Sequence, residues 1–314
     1  MNHLRLTQVC LLSLLCACSP KKASDTAPKD DTGPIEDTAS SQDTSSEDSA
    51  SNDDTSDTDE VLEAYRTTRS ITYNDLEVDV IIDKPIGNSF DVLVVYHGTV
   101  WSDSQIHSAA TMTLEKFSDS LQREDVMIVS VVYPEENLKM GDNIVYAEAG
   151  LLWVQQLAAE ELGIEVKRVF LGGHSQGGYI VTRLNTMHTT DGVIANCPGP
   201  LDMRYRCQLE EDGLMQTSNQ CQILLEEYGT TTENPAPYDA ISLLNFTEGY
   251  KAPYLVFQGM DDADIQLHSW PIFTEALGNC TDCSSIQTVE VPNVGHPGLF
   301  ESPTAAEVFN AFVE

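Results

Sequence analysis

Arg168-Val-Phe-Leu-Gly-Gly173-His174-Ser175-Gln176-Gly177-Gly178 carries an apolar run into a Gly-x-Ser-x-Gly pattern, and a helix-like segment (179–188) follows. Such a strand-turn-helix passage lifts the serine hydroxyl above the end of a sheet. Glycines two residues to either side have a steric cause: the turn brings backbone so close that a Cβ would collide with the neighbouring strand or helix. The helix start adds partial positive charge and N–H groups without helical partners beside the hydroxyl. The pattern also arises by chance in glycine-containing chains, so the reading depends on partners elsewhere.

A neutral serine is a poor nucleophile and needs a base to take its proton and an acid to orient that base. After an elbow of this kind the partners follow in the order Ser, Asp or Glu, His, each behind a later strand. Downstream, Ala252-Pro-Tyr-Leu-Val-Phe257 is a β-rich run that leads into Gly259-Met-Asp-Asp262-Ala-Asp-Ile265. A second strand, 286–291, leads into Pro292-Asn-Val-Gly-His296. Asp262 is the expected acid and His296 the expected base. Asp261 and Asp264 compete for the acid role, and the spacing from Gly259 favours Asp262 by leaving Ile265 to pack beneath the loop. His268 is the rival base, but it falls where the next helix should begin, which suits a surface or capping role. His97, His107, His174 and His188 have structural readings.

The negative charge that develops on the substrate oxygen needs two backbone N–H donors. Gln176, next to the nucleophile, offers one. The second is expected from the loop His97-Gly98-Thr99 after the strand Asp91–Tyr96, with Thr99 as donor because Gly98 lets the chain turn back.

These motifs together (Tyr96-His-Gly98, Gly173-His-Ser-Gln-Gly-Gly-Tyr179, Gly259-Met-Asp-Asp262 and Gly295-His296) resemble the α/β-hydrolase superfamily. Within it the chain is similar to the prolyl-oligopeptidase-type and dienelactone-hydrolase-like esterase and peptidase branch, over about residues 68–314. Asn234-Pro-Ala-Pro-Tyr-Asp239 adds to that similarity. The resemblance implies a serine hydrolase without a cofactor. The loop after Gly98 lacks the further glycines of hormone-sensitive-lipase-like esterases, and the chain has no room for the gating propeller of the oligopeptidases. The same machinery serves an ester or a peptide amide; an ester is the expected substrate, a short peptide the alternative. A non-catalytic surface lipoprotein using the fold as a binding module is a further alternative, against which the intact set of motifs counts.

Strand-like runs at about 70–73, 77–83, 91–96, 126–133, 168–172, 192–196, 253–257 and 286–291 alternate with helix-like segments at 107–123, 141–162, 176–188, 268–277 and 304–313. That alternation predicts an α/β fold: a mostly parallel eight-stranded sheet with helices on both faces and an antiparallel start. Ala147, Leu151, Val154, Leu157 and Ala158 mark one buried helix face. Residues 198–235 interrupt the alternation and are expected to form a small cap stapled by Cys207–Cys221.

The N-terminus follows another logic. Arg5, a short apolar run (Val9 to Ala17) and Lys21-Lys22 form a signal-peptide pattern over 1–17. Leu15-Cys-Ala-Cys18 resembles a bacterial lipobox, which implies a lipid on Cys18 as a membrane anchor in the cell envelope, with Ser19 pointing to the outer membrane if the cell is Gram-negative. The alternative is an ordinary cleaved signal ending at Ala17. Residues 19–60 hold 13 acidic side chains and 3 lysines with almost no large apolar ones. Such a segment cannot offset its ordering entropy, so 18–60 reads as a disordered tether, with a span on the order of 40 Å. A calcium loop there would lack its central glycine and final glutamate.

The chain has a formal net charge of −34; removing the tether's −10 and Arg5 leaves −25 for 61–314. This acidity argues against nucleic acid or anionic lipid as ligand. Behind the signal and Cys18, five cysteines remain. In an oxidising compartment Cys207–Cys221 and Cys280–Cys283 are the local pairs and Cys197 is left over, with Cys197 pairing to Cys207 or Cys221 as the alternative. Cys280-Thr-Asp-Cys283 has redox spacing but sits in a helix-to-strand loop, so a structural clip is expected. No second Cys or His pair stands at zinc spacing.

Overall fold

A computed structural model describes residues 63–136, 139–141 and 143–314. The expected signal (1–17), Cys18 and the tether (18–60) lie outside the described residues. Eight strands form one sheet: β1 (Tyr65–Tyr73), β2 (Leu76–Lys84), β3 (Ser89–Tyr96), β4 (Val126–Val132), β5 (Glu165–His174), β6 (Gly192–Asn196), β7 (Tyr254–Gly259) and β8 (Ile286–Val291). Their spatial order is β1-β2-β4-β3-β5-β6-β7-β8. β1 and β2 pair antiparallel, as do β2 and β4, and every later pairing is parallel. This is the mostly parallel eight-stranded sheet with an antiparallel start that the alternation predicts, and it agrees with the α/β-hydrolase fold the resemblance implies.

The antiparallel start closes through Asn74 and Asp75, both at positive φ (49° and 65°). Two such residues make the hairpin turn whose twist matches the flanking strands. β3 and β7 are buried at nearly every position because helices cover both sheet faces. The covering helices are α1 (Ile106–Ser120), α2 (Ile144–Gln156), α3 (Ala158–Leu162), α4 (Gln176–Met187), α8 (Asp264–Gly278) and α9 (Pro303–Val313).

Two helix expectations need correction. The single helix over 141–162 is two, because Leu157 leaves helical geometry (φ −122°, ψ −30°). Ala147, Leu151, Val154 and Ala158 are fully buried as the stripe requires, while Leu157 is only partly so. α8 begins at Asp264, not near 268. No capping side chain marks its start, because its N-cap residue is Ala263, whose methyl group offers no acceptor. Ile265 therefore lies in the first helical turn and lines the cavity at Ser175.

Between β6 and β7 the chain forms α5 (Met203–Glu211), α6 (Asn219–Tyr228) and α7 (Ala236–Ala240). Side chains of Asp202 and Ser218 cap α5 and α6 by accepting from Tyr205 N–H and Cys221 N–H. The Cys207–Cys221 disulfide joins those two helices. Cys280–Cys283 is also bonded, and Cys197 is free and buried. No helix among the described residues is long and apolar enough to cross a membrane.

Candidate active site

The parallel strands all point their C-terminal ends to one edge, and the chemistry-bearing loops leave from there. β5 ends at His174, and Ser175 follows in the elbow with φ +56° and ψ −119°. A non-glycine residue there is strained and must be held by its surroundings. Ser175 N–H donates to the Asn196 carbonyl at 2.9 Å, and the Ser175 carbonyl accepts from Tyr179 N–H and Gly199 N–H, each at 3.1 Å. The flanking glycines have the expected cause. A Cβ on Gly173 would overlap the Gly177 carbonyl, one on Gly177 would overlap the Tyr96 carbonyl, and one on Gly178 would lie 2.9 Å from Pro198 Cα.

The loop after β7 carries Asp262 and the loop after β8 carries His296. His296 Nδ1 and Asp262 Oδ2 are 2.8 Å apart. The same oxygen accepts from Gln258 Nε2 at 3.0 Å, and Oδ1 accepts from Ala263 N–H at 2.7 Å. Burial works to raise this carboxyl, but the bond to His296, its charge, Ala263 N–H and Gln258 outweigh burial and hold it below the usual carboxylate range. With Nδ1 bonded to Asp262, Nε2 is the nitrogen left for Ser175. No hydrogen bond joins Ser175 Oγ to His296 in this arrangement; such bonds often close only around a substrate.

Ser175, His296 and Thr99 line two cavities on either side of the nucleophile. The one on the side of α5 and α6 is about 250 Å³, walled by Met140, Pro200, Arg206, Gln220, Ile265 and Gln266. The other, about 280 Å³, is walled by Ala109, Met112, Thr113 and Lys116. Gly98 brings the Thr99 loop against the elbow: a Cβ on Gly98 would stand 3.2 Å from Ser175 Cβ. Gln176 opens α4 directly after Ser175.

The structure separates the other candidates from this group. Asp261 donates its N–H to the Val294 carbonyl, while Asp264 sits in the first turn of α8. His268 stacks on Tyr205 with centroids 4.1 Å apart. His107 meets Thr68 Oγ1, and His188 meets Glu148. His97 is buried, which pushes it down to about 4 and keeps it neutral. His174 packs 5.0 Å from the His296 ring and is pushed down to about 3, chiefly by burial.

Asn196, which no sequence pattern singled out, and Cys197, read from the sequence only as the leftover cysteine, sit behind His296. Asn196, at the end of β6, donates from Nδ2 to the Pro297 carbonyl and accepts Leu299 N–H on Oδ1, both at 2.9 Å, and so clamps the turn after His296. Cys197 follows it; burial pushes its thiol up to about 12. Its sulfur lies with donor atoms of Asp262 and His296 inside 4.8 Å. The Asp262–His296 bond and the protonated thiol make that trio a poor metal site. No local motif marks Asn196, because the groups it bonds lie about a hundred positions away.

Residues 141–312 match the prolyl oligopeptidase family. The chain belongs to the prolyl oligopeptidase family. Solved structures similar to it include a thermostable esterase from Pseudomonas putida (16% identity, TM-score 0.57, 79% of this chain and 81% of that one). An acylaminoacyl peptidase of Pyrococcus horikoshii is similar at 16% identity and TM-score 0.56 over 80% of this chain, which spans only 41% of that enzyme. A thermophilic esterase from Thermogutta terrifontis is similar at 17% identity and TM-score 0.54, over 79% of this chain and 93% of that one. At such identities the likeness is one of fold. No curated protein matches the chain. As a member of the prolyl oligopeptidase family the chain is a serine hydrolase of the α/β-hydrolase superfamily.

Proposed function

We propose that this serine hydrolase cleaves a carboxylic ester through an acyl-enzyme on Ser175. The observation that carries the reading is the His296–Asp262 bond of 2.8 Å beside a serine held at φ +56° in the same cavity. Ser175 Oγ attacks the ester carbonyl while its proton passes to His296 Nε2. Asp262 fixes the tautomer and stabilises the imidazolium. N–H groups of Thr99 and Gln176 hold the oxyanion. Its collapse breaks the bond to the leaving alcohol, which takes the proton from His296. Water then attacks the acyl-enzyme by the same steps and restores Ser175.

A peptide amide could enter the same cycle, and family membership favours that second reading. The cavity supports the ester. A cationic peptide amino terminus would need a free carboxylate, and the one carboxylate lining this cavity among the described residues, Asp262, is engaged by His296. The lipobox-like Leu15-Cys-Ala-Cys18 supports an envelope enzyme tethered by lipid on Cys18.

One labelling experiment addresses both parts. A fluorophosphonate probe on cells expressing the full chain should mark a membrane-fraction band that vanishes in Ser175→Ala and turns soluble in Cys18→Ala. Equal labelling of Ser175→Ala would overturn the mechanism; a Cys18→Ala band that stays in the membrane would overturn the anchor. Turnover of peptide anilides with no turnover of p-nitrophenyl esters would replace esterase by peptidase.

A further inference from the structure

Arg206, on the cap helix α5, is the one Lys or Arg side chain among the described residues on the wall of the cap-side cavity. It is only partly committed. Its Nε donates to Glu210 Oε1 at a long 3.4 Å, and the other Glu210 oxygen accepts Ser218 N–H and Oγ at 2.7 and 3.1 Å. Its two Nη groups meet no protein acceptor among the described residues. The Glu210 side chain is almost wholly buried while that of Arg206 is 27% exposed, so the fork faces the open space. The adjacent Cys207–Cys221 disulfide fixes the helix that presents it. Beyond Arg206 the space continues into a groove bounded by residues 216–219 and Trp101.

Charge sharpens the meaning of this placement. With 50 acidic against 16 basic side chains, the protein's net charge disfavours an approaching anion. A guanidinium with two free N–H arms beside the nucleophile reverses that locally, and its planar fork matches a carboxylate. We infer that Arg206 selects substrates bearing a carboxylate, on whichever arm of the substrate occupies the cap-side cavity. The inference rests on the serine hydrolase reading above and names the substrate class for that site.

Matched esters test it and identify the arm. p-Nitrophenyl hemiglutarate against p-nitrophenyl valerate places the carboxylate on the acyl side; 4-acetoxybenzoate against phenyl acetate places it on the leaving group. Wild type should prefer the anionic member of one pair in kcat/KM. Arg206→Gln should lower that anionic-to-neutral ratio by at least about tenfold, the usual scale for a charge-assisted hydrogen bond. Arg206→Lys should keep most of the ratio. Arg204→Gln removes the same charge two residues away, where Arg204 pairs with Asp239 at the surface, and should leave the ratio unchanged. Ratios in both pairs that are neutral in wild type, or indifferent to Arg206→Gln, overturn the inference. If wild type turns over none of these esters, the ester reading fails by itself. Arg206 is then judged by protection of Ser175 from the fluorophosphonate: glutarate should protect wild type where valeramide does not, and Arg206→Gln should lose that protection. Absence of protection in wild type, or equal protection in both proteins, rejects the role.

Discussion

Burial alone would push the Asp262 carboxyl up; the His296 imidazole, Ala263 N–H and Gln258 amide reverse the sign. Its two oxygens carry three accepted bonds, a load an amide cannot take because one of its two positions is a donor. Asp262→Asn therefore forces either His296 or Ala263 to lose its partner, and a rotated amide presents the wrong tautomer to the base. The expected result is a fall in kcat of about 10⁴-fold with little change in KM, as for other triads, measured on the preferred ester. A loss below tenfold would move the acid role to another carboxylate. The sequence led to Ser175, Asp262, His296 and Thr99 because each follows a strand end with glycine nearby. Asn196 has no such flag, since what it clamps, the turn at Pro297 and Leu299, meets it only in the folded sheet.

Helices α5 and α6 show the limits of reading at the scale of elements. Their position after β6 and the spacing of Cys207 and Cys221 announced a stapled insertion, but not which side chains it lowers toward Ser175. Arg206 and Gln220 both reach the cavity from helices tied by the disulfide, one residue from Cys207 and one from Cys221. Closing a loop of this length is worth about 3 kcal/mol in the chain-entropy account. Cys207→Ala/Cys221→Ala should raise amide exchange in 203–228 while leaving β3 and β5 protected, and should raise KM more than it lowers kcat. Hydrogen exchange with steady-state kinetics checks this; unchanged exchange in the cap would show that helix packing alone holds it.

Across the whole molecule, the end of the sheet opposite the site is gathered by Asp91, whose side chain is 3% exposed. It bonds Arg168 Nη2 and pairs with Arg123 Nη2, each at 2.6 Å. Arg123 and Arg168 also donate to the Val313 carbonyl at the end of α9, so one carboxylate ties β3, β5, the segment before β4 and the C-terminus together. Burial works against its charge, but Arg168 and Arg123 prevail and hold the carboxyl below its ordinary range. Its contribution to stability is therefore complete above the unfolded value of about 3.9 and is lost as pH falls through the lower folded value. Asp91→Asn should cost on the order of 2 kcal/mol at pH 7, and the gap to wild type should narrow below about pH 4. Urea melts of both proteins from pH 7 to 3 check it; a gap constant with pH would remove Asp91 as the linked group.

What the sequence by itself determined is whatever short-range pattern carries: the strand-helix alternation, the Gly173 to Gly177 elbow, the strand-end placement of Ser175, Asp262 and His296, and the local cysteine pairs. These are legible because periodicity, close backbone approach and strand-end loops leave marks within a few residues. Only the tertiary structure decided the split at Leu157, the early start of α8 that turns Ile265 into the cavity, the Asn196 clamp and the Arg206 fork. Each depends on which distant surfaces meet, and the energy of such a contact belongs to the pair in space, not to either segment of the chain.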